Sequence, residues 1–127
     1  MRLGAFSMSL NVADLAASQA FYERLGFETA GGDADQGWLI LRDGDTLLGL
    51  FKGHIPANTL TFNPGWTQGA ENVPEPFEDV RAIQARLKQA GVALQVECDP
   101  DGSGPAHIAL LDPDGNSILI DQHRESV

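Results

Sequence analysis

Residues 5–27 read AFSMSLNVADLAASQAFYERLGF, and the hydrophobic period changes halfway along. Phe6, Met8, Leu10 and Val12 alternate with Ser7, Ser9 and Asn11, the period-two pattern of a strand with one apolar and one polar face. Asp14 then stands where a helix N-cap belongs. Beyond it Ser18, Tyr22 and Leu25 fall on one helical stripe beside Leu15 and Phe21, and Gly26 is placed to end the helix at C′. Residues 37–51, GWLILRDGDTLLGLF, are two apolar runs around Asp43-Gly44, the signature of a β-hairpin.

The same plan then recurs about half a chain later. TLTFN (59–63) alternates again, with Leu60 and Phe62 against Thr59, Thr61 and Asn63. FEDVRAIQARLKQAGV (77–92) carries Val80, Ile83, Leu87 and Ala90 on one helical face, and Gly91 stops it. ALQVE (93–97) reads as a short strand, and AHIALLDPDGNSILIDQH (106–123) as a second hairpin. In that hairpin Pro113 is preset for a turn and Gly115 is free to take positive φ. Helices are therefore expected near 14–25 and 77–90, with about eight strands. A repeat of this length is a duplicated unit rather than an array. NPGWTQGAENVPEPF (63–77) stands outside the repeat as a long loop, either a functional segment or a surface insertion.

The 127 residues suit one domain with a sizeable core. Eight basic against 18 acidic side chains leave a formal charge of −10, which repels nucleic acid and anionic lipid and favours neutral or cationic partners. Cys98 is the single cysteine, so no intrachain disulfide forms, and a reduced compartment is expected. Asp14 follows the N-terminus too closely for a signal peptide, and no apolar run approaches the roughly 20 residues a membrane helix needs. The expectation is a cytoplasmic protein.

NVADLAASQAFYERLGFE (11–28) resembles the opening of the vicinal-oxygen-chelate proteins, the glyoxalase/bleomycin-resistance/dioxygenase group, and LLDPDGNSILI (110–120) resembles their closing hairpin. With the duplicated plan, the resemblance spans essentially the whole chain. It implies an α+β fold of two βαβββ modules, about 1–55 and 56–127. Their strands would curl into an open, eight-stranded, barrel-like sheet around a ligand cavity, with the helices outside.

Members of that superfamily include metal-dependent isomerases, dioxygenases and transferases, and also metal-free proteins that sequester drugs. Carried over one at a time, the positions where the enzymes place metal ligands fall on Ser7, Gly49, Thr59 and Leu119. None is a useful ligand for a divalent metal. The resemblance thus implies the scaffold without its usual metal chemistry, and neither metal nor cofactor is expected.

If the ligand positions face the cavity, residues two away on the same strands face it too. That set is Ser7, Ser9, Asn11, Thr59, Thr61, Asn63, Ser117, Leu119, Asp121 and His123. Asp121 is its strongest polar anchor. Trp66, in the long loop, either caps a ligand by stacking or covers the open side of the sheet. Trp38 and Phe51 read as core or wall, Cys98 as a packing residue, and the facing of His107 stays open.

The leading expectation is a metal-independent small-molecule-binding protein of the bleomycin-resistance type, sequestering a cationic or aromatic compound. The alternatives are a glyoxalase-like lyase or isomerase, with a shifted site using Asp121 with His123 or His107, and an interaction module with no ligand. An open sheet edge would favour a homodimer.

Overall fold

The computed structural model describes residues 1–126. Its elements are β1 (Ala5–Asn11), α1 (Leu15–Arg24), β2 (Glu28–Asp33), β3 (Trp38–Asp43), β4 (Thr46–Phe51), β5 (Thr59–Asn63), α2 (Val80–Gln89), β6 (Ala106–Leu111) and β7 (Ser117–Gln122). The fold is α+β, with two helices and seven strands in an open, mixed sheet. The chain divides into two compact units, Ser7–Thr59, and Met1–Phe6 together with the chain from Leu60 onward.

In the first unit the strand order is β2-β3-β4-β1. β2, β3 and β4 form an antiparallel meander, and β1 runs parallel to β4. That is one βαβββ module, in which α1 leads from β1 to β2 and the meander returns β4 alongside β1. Leu39, Leu41 and Leu50 are buried with Leu15 of α1, and Leu10, Val12, Tyr22, Phe27 and Leu48 pack around them. Leu10 and Val12, the later members of the apolar alternation, and the Leu15–Tyr22 stripe therefore build one core, while Phe6 stays exposed. Phe21 and Leu25 do not join it: they are 53% and 60% exposed.

The second unit orders its strands β5-β7-β6. Val80 and Ile83 of α2 are buried against Ile108, Leu110 and Ile120, with Phe62, Leu87 and Val92 around them. Both helices are closed at each end in the same way. Asp14 accepts from Ala17 N–H, and Asp79 from Arg81 N–H. At the C-termini Gly26 and Gly91 take φ of +106° and +80°. Phe27 N–H then reaches Tyr22 O and Val92 N–H reaches Leu87 O, both across a hydrophobic contact.

The strand expected at 93–97 is reduced to an isolated bridge between Val96 and Ala109, so the sheet has seven strands rather than eight. The cause is local. Gln95 N–H and Val96 N–H both donate to Ala109 O, at 2.8 and 3.2 Å. Two residues facing one is bulge geometry, and it breaks the ladder. Side chains of α2 take over the next stretch. Gln84 accepts from Cys98 N–H and donates to Cys98 O, and Arg81 donates to Asp99 O and Gly104 O. A strand partner's work is done by a glutamine and an arginine.

Candidate functional site

The core of each unit covers one face of its strands and leaves the other as the candidate ligand face. In the first unit, register pairs Ser9 with Gly49 and Gly49 with Ile40. Asn11 pairs with Phe51, and Phe51 with Trp38. Residues in register share a face, so Ser7, Ser9 and Asn11 lie with Ile40, Trp38 and Phe51, opposite the leucine core. Trp38 and Phe51 are stacked, with ring centroids 6.2 Å apart and planes at 4°. Both are half-buried. His54 meets Phe51 edge-on and has Nε2 2.6 Å from Gln36 O.

Gly49 makes room for this platform. A Cβ there would lie 2.6 Å from Cε2 of Phe51. The polar residues of the same face are more committed than alternation suggests. Ser9 and Thr59 are buried, and the Thr59 hydroxyl donates to Ala57 O at 2.9 Å.

In the second unit Ile120 and Gln122 point into the core, while Leu119, Asp121 and His123 lie on the accessible face. His107 is in register with Asp121, which fixes its facing: it shares the exposed side with Asp121 and Leu119. His123 Nε2 sits 3.2 Å from Asp121 Oδ2, with the two side chains 47% and 30% exposed. The Asp121 hydrogen bond and charge raise the His123 pKa, against burial that would lower it. Trp66 stacks on the His123 ring, with centroids 4.8 Å apart and planes at 17°. Thr61 is buried, and Asn63 donates from Nδ2 to the backbone oxygen of Asp121. Asn63 therefore commits one of its amide hydrogens to holding the strand in place.

Trp66 is held by a built loop. Residues 64–73 form a small hairpin, bridged at Trp66 and Asn72, in which Trp66 Nε1 donates to Asn72 Oδ1 at 3.1 Å. Gln68 clasps the backbone of Phe6, accepting from its N–H at 2.7 Å and donating to its carbonyl at 2.8 Å. Arg124 donates to Gly65 O and Val73 O and lies 4.4 Å over the Phe77 ring. Below this, Gln122 is fully buried and fixes the end of β7 to the start of α2. It accepts from Val80 N–H and donates to Asp79 Oδ2 and Arg124 O.

The structure thus brings together Trp66, Asn63, Asp121 and His123 in one unit, and Ser9, Asn11 and the Trp38–Phe51 platform in the other. Trp38 and Phe51, read from the sequence as core or wall, lie on the face opposite the leucine core, and Ile40, which the sequence did not single out, joins them there. Counting the 38–51 hairpin outward from its Gly44-Asp45 turn would have placed them with Gly49. Among the described residues, no group of three or more His, Cys, Asp or Glu side chains is disposed to hold a metal ion. A hollow of about 290 Å³ lies elsewhere, beside the N-terminus of α1 and Lys52. The first-turn Ala17 N–H there is already taken by Asp14.

A profile of the Glyoxalase/Bleomycin resistance protein/Dioxygenase superfamily matches residues 4–120. The chain belongs to this superfamily. Within it, a bleomycin resistance protein from Klebsiella pneumoniae is 28% identical over 110 residues, covering 87% of this chain and 85% of its own. Solved structures agree in fold. A superfamily member from Vibrio splendidus matches with a TM-score of 0.61 at 16% identity, over 92% of this chain and 97% of its own. A Legionella pneumophila protein described as an NAD-dependent benzaldehyde dehydrogenase matches at 0.67 and 16%, over 94% and 99%. Among the described residues no helix is long and apolar enough to cross a membrane.

Proposed function

We propose that this superfamily member binds and sequesters a small aromatic or cationic molecule without a catalytic metal. The observation that carries this reading is the Trp38–Phe51 platform, seated over Gly49 where the superfamily resemblance would place a ligating carboxylate. A flat aromatic pair offers dispersion and cation–π attraction but no metal coordination. Asp121 supplies a carboxylate on an accessible face, and the charge of −10 attracts cations at long range. Similarity to a bleomycin resistance protein supports a protective, ligand-holding role over turnover. A homodimer in the cytoplasm is part of the proposal.

A thermal-shift screen of metals and cationic aromatics tests this reading. A true guest at about 100 times Kd adds roughly 2.7 kcal/mol of stability. Trp38→Ala should abolish its shift. Stabilisation by metals alone, with stoichiometric zinc, nickel, iron or manganese in protein purified without chelator, would overturn it. That outcome would favour a lyase or isomerase built on the Asp121–His123 pair, the second reading.

A further inference from the structure

The elements of a cation site, a carboxylate and an aromatic face, are already filled in the second unit. The filler is a planar nitrogen ring of the protein itself. His123 lies between Asp121, at 3.2 Å, and the parallel face of Trp66, at 4.8 Å between centroids. We infer that His123 is an internal stand-in for the guest, and that Asp121 and Trp66 accept a planar nitrogen cation of amidinium or imidazolium type once His123 leaves. This rests on the reading of the Asp121 face as ligand-binding and names the ligand class.

Three features carry the inference. The pair is accessible, with His123 nearly half exposed on the last turn of chain after β7, so the ring can swing out without breaking core contacts. Trp66 is anchored independently of His123, by Asn72, Gln68 and the Arg124 strap, and stays in place when the ring departs. The geometry also selects the guest. A stacked ring with an edge nitrogen on a carboxylate suits a flat donor better than a compact ammonium.

A pH dependence follows. The titratable and charged groups around His123 are Asp121 on the strand that precedes it, His107 across the ladder from Asp121, and Arg124 next in the chain. The Arg124 guanidinium is committed to Gly65 O, Val73 O and Phe77. Only an imidazolium competes well for the carboxylate. As pH rises and His123 loses its proton, the internal competitor weakens and the guest binds more tightly.

Titration calorimetry with benzamidine, and with neutral benzamide as control, tests the inference on wild type, His123→Ala, His123→Gln and Asp121→Asn. Wild type should bind benzamidine about fivefold more tightly at pH 8.5 than at pH 6, the scale of one exposed ion pair. Both His123 variants should bind at pH 6 about fivefold more tightly than wild type and show no pH trend. Asp121→Asn should lose binding, and benzamide should not bind. Equal affinity at both pH values, weaker binding by both His123 variants, or benzamide matching benzamidine would overturn the inference. If no protein binds benzamidine while a screened compound still stabilises wild type through Trp38, the inference fails and the proposed function stands. If nothing binds at all, both fail.

Discussion

Replacing Gln122 by leucine keeps the volume and removes one amide. Gln122 is fully buried, and its amide makes three bonds: 2.8 Å from Val80 N–H, 2.8 Å to Asp79 Oδ2 and 3.0 Å to Arg124 O. Val80 is also fully buried, so its N–H would be left without a partner or water, a loss of about 1–3 kcal/mol. Asp79 would keep Ser126 and Arg81 as partners and lose one charge-assisted bond, about 1 kcal/mol. The added apolar surface returns a little of this. The net destabilisation should be about 3 kcal/mol, or a fall in Tm of about 12 °C for a domain of this size. Urea denaturation at neutral pH, with an unchanged slope, is the assay. A loss under about 1 kcal/mol would show that the amide network is not what joins β7 to α2.

Three further outcomes are expected. Gly115 has φ of +86°, so Gly115→Val should cost at least about 1 kcal/mol in the same denaturation assay, through backbone strain. Asp121→Asn should weaken a cationic guest found by screening about ten- to a hundredfold by calorimetry, whereas a carboxylate merely paired with His123 in solvent predicts no change. Burial alone would raise the pKa of Asp79. Hydrogen bonds from Ser126, Arg81 and Gln122 outweigh it and hold the value below 3.8. A depressed carboxylate stabilises above its unfolded pKa and loses that contribution as pH falls through the folded one. The stability gap between wild type and Asp79→Asn should therefore be full at pH 6 and close below about pH 4 in acid-unfolding curves.

Much of the fold is legible because it rests on short-range signals. Asp14, Gly26 and Gly91 sit at helix ends whose chemistry is local, and strand alternation places Leu119, Asp121 and His123 on one face without knowledge of neighbours. Long-range features are not legible in this way. A buried Gln84 or Gln122 looks like any surface glutamine until its partners across the fold are known. The strand expected at 93–97 satisfies propensity and fails on pairing, because Ala109 O receives two donors. The polar alternation of Ser9, Thr59 and Thr61 is real, but burial and bonding within the protein take those hydroxyls away from a guest. Trp38 and Phe51 read as core or wall, because aromatics serve as either. Only the register around Gly49 places them on the face opposite the leucines.

That register constrains how such a protein could change its trade. A glutamate introduced at position 49 would start from a Cβ 2.6 Å from the Phe51 ring, so it could enter only if the ring turned away from Trp38. Metal coordination and aromatic stacking are alternative tenants of one position and cannot accumulate there. An engineer seeking to graft a metal ligand into this module should trim Phe51 first and accept the loss of the platform. The order of the two substitutions matters, because the reverse order passes through an intermediate in which the new Cβ meets the Phe51 ring.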